Sequence, residues 1–180
     1  MLPFYLIGSL WTASLTTALA ADTNKVTSPI GIYDSRAVAY AHFWSAPVQK
    51  QQREQVAAAQ AARKAGNILK LKEYDDAFQA RQADLHRMVF STAPATPAME
   101  SIKVRIPEIQ KQAGVSALVS KWDEPGLKKF SGAARVDVTD QLVREFIQPD
   151  EKQLKMIQSI EKSEPLSPEK CEELIRNGGI

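Results

Sequence analysis

The sequence predicts an α+β fold that is mainly helical, with a small β-sheet body and a projecting antiparallel helical hairpin. Short β-prone runs lie far apart, at about 30–34, 115–120 and 134–138. Between the first two, Ala-, Gln- and Lys-rich stretches with apolar residues three and four apart read as a helical hairpin over about 36–113. The composition agrees: 180 residues, 44% hydrophobic and only 7% aromatic, make one ordinary domain with a thin core whose helices share apolar stripes.

The first twenty residues, MLPFYLIGSLWTASLTTALA, carry no charge and end in Ala18-Leu19-Ala20, a small-x-small pattern for cleavage after Ala20. The apolar run Leu2 to Leu10 is short against the ~20 residues of a membrane span, so a cleaved signal peptide over 1–20 is expected and the mature chain works in the periplasm. A retained anchor is the alternative, because the basic start of a signal peptide is missing. Residues 21–28 are polar and expected to form a flexible N-terminus.

Ile30, Ile32 and Tyr33 form the first strand, with Gly31 allowing a neighbouring backbone to come close. From Ser35 the spacing turns helical through Ala37, Val38 and Ala41, with Asp34 or Ser35 as cap. Pro47 suits a helix start, and residues 48–65 have high helix propensity but only Val48 and Val56 as bulky apolar residues. Gly66-Asn67 is a stop and turn. Residues 68–90 are the clearest amphipathic helix, with Leu71, Tyr74, Phe78, Leu85 and Met88 along one seam and Arg81 at one seam position.

Pro94 and Pro97 break the chain, and Thr96-Pro97 opens a helix to Gly114 that Pro107 kinks. SIKVRI, 101–106, also alternates like a strand. VSALVS follows as a strand, residues 121–132 as a loop or wide hairpin connection, and ARVDV as the last strand. Thr139-Asp140 opens a short helix, and the 29–147 domain ends before Pro149. Residues 148–180 form a C-terminal helical extension, with Leu154, Ile157 and Ile160 on one stripe and Ser167-Pro168-Glu169 starting a last helix.

Twenty-three Lys and Arg against 21 Asp and Glu, net +2, is too even a balance to argue for nucleic acid. Cys171 alone forms no intramolecular disulfide, and with only His42 and His86 beside it the ligand inventory for a metal is poor. No constellation of residues points to catalysis or a cofactor, and Ser35 is followed by Arg, not by the glycine of a nucleophile elbow. Asp34 at a strand end reads as a cap, and Asp137 and Asp140 flanking Thr139 read the same way.

Three stretches resemble the OmpH-like (Skp) family of periplasmic chaperones: IGIYDSRAV at 30–38, AGVSALVSK at 113–121 and VDVTDQLVREF at 136–146. The motif positions are Asp34, Arg36, Asp137, Thr139 and Asp140, and the likeness covers about 29–147. It implies a trimer whose strands build a body and whose paired helices surround a cavity for unfolded outer-membrane proteins, without ATP. The chain departs from the pattern in its short hairpin, its broken returning helix and its C-terminal extension. The expected function is a periplasmic holdase binding unfolded exported proteins, self-associated through its sheet, with the edge or flank of the first strand helping to build the oligomer. The alternative is a non-catalytic envelope adaptor that kept the body and binds a partner through the hairpin or the C-terminal tail. Leu71, Tyr74, Phe78, Leu85 and Met88 are the candidate client surface, or else the packing seam of the hairpin. Eight basic against five acidic side chains over residues 48–90 also suggest weak contact with an anionic membrane surface.

Overall fold

The computed structural model describes residues 28–180. The expected signal peptide and nearly all of the 21–28 segment lie outside the described residues. The described chain is mostly helical around one three-stranded sheet.

β1 (Ile30–Tyr33) runs almost directly into α1 (Ser35–Trp44). Asp34 makes the junction: its backbone is extended, and its side chain accepts from the Arg36 N–H, capping the helix. α2 (Ala46–Lys64) starts with Pro47 in its first turn, where the missing N–H has no helical partner to lose. It ends at Gly66, whose φ of +68° suits a residue without Cβ. Asn67 then caps α3 (Ile68–Phe90) by accepting from the Lys70 N–H. α4 (Thr96–Ser101) and α5 (Ile106–Ala113) follow, and Gly114 at φ +66° ends α5 in a left-handed turn.

β2 (Leu118–Ser120), α6 (Glu124–Lys129), β3 (Arg135–Asp137) and α7 (Thr139–Arg144) complete the body. α8 (Glu151–Lys162) opens on a reciprocal capping box between Asp150 and Gln153, and α9 (Pro168–Arg176) opens on Ser167, which accepts from the Lys170 N–H.

The sheet order is β2-β1-β3, and both pairings are parallel. β1 therefore finds both of its expected neighbours and is the central strand. That corrects two expectations. The loop or wide hairpin connection expected over 121–132 is neither: it carries α6 and crosses over β1, as joining parallel strands demands. Both edges of β1 are occupied, so the free edges of this sheet belong to β2 and β3.

Other boundaries shift for local reasons. Asp34 leaves the strand to cap α1, and Val115 is held by Gln110 O at the end of α5, so β2 starts only at Leu118. The expected single kinked helix over 97–113 is two helices separated by the turn 102–105, because Pro107 lacks the N–H that a continuous helix would need.

α1 is the pivot of the core. Its Val38 and Ala39 join Val89, Ile102, Ile109, Val138, Leu142 and Ile160, while Ala37 and Ala41 face Val143 and Ile157. Alanine at three of its ten positions lets neighbours approach from several sides. Gly31 serves close packing differently from the expected backbone contact: an added Cβ would stand 2.8 Å from Leu118 Cδ2 and 3.1 Å from Val138 Cγ2, both side chains.

The C-terminal extension folds back on this body. Leu166 N donates to Phe90 O at 2.8 Å, Arg87 pairs with Glu172, and Cys171 is fully buried with its thiol toward the His86 carbonyl. No helix among the described residues is long and apolar enough to cross a membrane.

Candidate functional site

In an open parallel sheet the crevice beyond the carboxyl ends of the strands, where the chain direction switches sides, is the usual place for a ligand. Here the switch falls between β1 and β3, and the chain's own side chains fill it. Thr139, 2% exposed, accepts the Asp34 N–H on its hydroxyl at 3.0 Å. Asp34 and Arg36, each 1% exposed, form a buried pair: Arg36 Nη2 donates to Asp34 Oδ2 at 2.8 Å and Nε to Oδ1 at 3.1 Å.

The remaining donors of Arg36 are also engaged. Nη1 donates to the Ser163 carbonyl at 2.9 Å, and the guanidinium lies 4.9 Å from the centre of the Trp122 ring. The Trp122 indole N–H in turn reaches Asp34 Oδ1 at 3.4 Å. Burial pushes the Asp34 carboxyl up, but the hydrogen bonds and charge of Arg36 outweigh it and hold the group below the ordinary carboxylate range. Asp137 behaves alike: burial is outweighed by Lys121, 2.8 Å away, and by the hydrogen bonds of Thr139, so its carboxyl is also lowered.

Each motif residue thus has a structural partner. Asp137 accepts the Thr139 N–H at 2.9 Å, and Asp140 forms an exposed pair with Arg144 on α7. Ends of all three strands meet here, together with Ser163 from the turn after α8. Trp122 and Ser163 were invisible as members of this cluster in the sequence. The only available signal was that a polar or charged residue lies at or just past the end of each strand: Asp34, Lys121, and Asp137 with Thr139.

His42 packs edge-on against Phe146, and burial lowers its pKa; His86 stacks near Phe90. Among the described residues, no group of three or more His, Cys, Asp and Glu side chains is placed to hold a metal ion.

The second candidate region lies between α2 and α3. A groove of about 460 Å³ separates them, lined by Val56, Ala59, Leu71, Tyr74, Ala77 and Phe78, with Gln52, Gln55, Arg63 and Arg81 at its borders. It continues toward the body over Phe43, Leu85 and His86, sharing Gln52, Phe78 and Arg81 with its outer part. Phe78 is 46% exposed and Val56 47%, high values for apolar side chains on facing helices.

The predicted seam is divided by this geometry. Leu71, Tyr74 and Phe78 line the outer groove, Leu85 lines its inner end, and Met88 packs with Leu85 against the larger core cluster. Val56 and the glutamines of α2 were not assigned to a binding surface in the sequence, because a helix with so few bulky residues shows no stripe of its own. No family model, curated protein or solved structure matches the chain.

Proposed function

We propose that the protein is a periplasmic holdase of the OmpH-like kind, binding unfolded outer-membrane or exported proteins without ATP. In this reading α2 and α3 form an antiparallel hairpin that projects from the sheet body. Leu71, Tyr74, Phe78 and Val56 present apolar surface to client side chains. The observation that carries it is the α2–α3 groove, where Val56 and Phe78 stay half-exposed.

Weak apolar contact at many points suits clients with no common sequence, and glutamines at the border can meet the polar backbone of an extended chain. A groove of about 460 Å³ takes a few side chains at a time. Useful affinity therefore needs several subunits acting together, as the resemblance to a trimeric family implies.

The same small volume favours a second reading, a non-catalytic envelope adaptor whose hairpin takes one partner. The C-terminal tail is the weaker candidate for that contact, since Cys171, Ile157 and Ile160 are buried against this chain itself.

Light scattering of the mature protein, combined with suppression of aggregation of an unfolded outer-membrane β-barrel, separates the two. The holdase reading expects an oligomer that suppresses aggregation, and a Tyr74→Ala/Phe78→Ala variant that stays folded but no longer does so. A monomer without holding activity would overturn it.

A further inference from the structure

The turn between α2 and α3 combines exposed bulk and free charge in a way that client holding does not require. Ile68 is 73% exposed and Leu69 79%, adjacent residues in the first turn of α3. Residues one apart on a helix point about 100° away from each other, so the two cover different sides of the tip and form no common stripe. Gly66, at φ +68°, and Asn67, capping Lys70 N, set the turn that carries them outward.

Cations surround this apolar pair. Arg63 and Lys64 close α2, and Lys70 and Lys72 open α3. Lys72 is paired with Asp76 at 2.6 Å, whereas Arg63, Lys64 and Lys70 enter no ion pair among the described residues. Arg53 and Arg81, farther along α2 and α3, are likewise outside the ion pairs, so what sets the tip apart is density: four cations and no acid lie between Arg63 and Lys72.

The bland alternative is a solubilising tip, but solubility needs the charges and not two bulky apolar side chains beside them. A protein partner for so convex a feature would need a matching acidic pit. A bilayer needs none: its phosphates meet the cations, and the soft interface admits apolar side chains from any side.

We propose that the α2–α3 tip docks on anionic lipid bilayers, with Ile68 and Leu69 entering the interface and Arg63, Lys64 and Lys70 meeting the headgroup phosphates. The inference is independent of the holdase reading. Two apolar side chains and three cations make a weak, reversible contact for one copy, strengthened where several copies act together.

Flotation of the full chain tests it, with vesicles of phosphatidylcholine alone or mixed with phosphatidylglycerol, at low and high salt. The expected result is binding to the anionic vesicles only, lost at high salt. An Arg63→Gln/Lys64→Gln/Lys70→Gln variant should partition about 100-fold less. An Ile68→Ser/Leu69→Ser variant should partition at least about tenfold less. Val104→Ser, at an equally exposed apolar site (82%) outside the tip, should bind like the parent. All these positions are exposed, and far-UV circular dichroism checks that each variant keeps its helices. Equal binding to uncharged vesicles, parental binding by both tip variants, or an equal loss in Val104→Ser would each overturn the proposal. The first outcome would remove the headgroup phosphates as the ligand, and the second would assign lipid binding to another part of the chain.

Discussion

The sheet body and the α2–α3 pair are built on opposite terms. Around β1 and α1, six consecutive positions from Tyr33 to Val38 are buried, and the polar ones among them bond to one another or to backbone. Between Ala46 and Met88 the buried residue is Ala62 alone. The body closes the crevice where a parallel sheet would receive a ligand, while the helix pair leaves a groove half-open. The proposed function thus assigns stability and binding to separate parts of one chain, and substitutions in each part should move different observables.

The largest expected effect is on stability, from Arg36→Ala. It leaves the Asp34 carboxylate buried without its counter-charge and takes a donor from the Ser163 carbonyl, a loss of about 3–5 kcal/mol. Urea unfolding measures it. A loss under ~1 kcal/mol would mean the pair is not what holds the carboxyl end of the sheet together.

The same pair predicts an acid response. The folded pKa of Asp34 lies below its ordinary value of 3.8, so the stability it contributes is present above that value and is lost as pH falls through the lower folded pKa. The unfolding midpoint of the parent should therefore drop steeply below about pH 4. In Asp34→Asn, already weakened at neutral pH, the further drop should be smaller. Parallel profiles for the two proteins would contradict the assignment.

Gly31→Val comes next. Its side chain would enter the space held by Leu118, Val138 and Val115, at an expected cost of about 1–3 kcal/mol, read from the thermal midpoint. Phe78→Ala should cost under ~1 kcal/mol, given its 46% exposure, and still reduce client holding; a variant that loses stability instead would place Phe78 in the core. Smallest of all, Glu172→Gln weakens a part-exposed pair with Arg87 and should shift stability by under ~1 kcal/mol, with α9 still docked through Cys171.

Much of the architecture is legible in the sequence, because its signals are local. Asp34, Gly66, Gly114 and Ser167 each mark a boundary through backbone chemistry, and the structure uses all four as expected. Strand direction is another matter. Alternation in VSALVS and ARVDV indicates strands but carries nothing about parallel or antiparallel pairing, which depends on where the intervening chain returns. α6 was hidden for the opposite reason: Pro125-Gly126 suggests a turn, yet Pro125 sits in the first turn of a helix capped by Asp123.

The candidate site divides in the same way. The seam of α3 is visible as periodicity, and so is the capping role of Asp34. What periodicity does not contain is depth. It cannot separate Met88, packed on the core, from Phe78 on the groove, because that difference depends on where α1 and α9 cover α3 and where they stop. Trp122 escaped notice because its partners, Asp34 and Arg36, lie more than eighty residues away.

The central claim is that binding belongs to the helix pair and not to the end of the sheet. Amide hydrogen exchange with and without an unfolded outer-membrane β-barrel tests this most directly. The account predicts new protection on α2 and α3 around the groove, near Gln52–Arg63 and Leu71–Arg81, with exchange at Asp34–Arg36, Ser120–Trp122 and Asp137–Thr139 unchanged. Protection gained at those strand ends, with α2 and α3 unaffected, would contradict it.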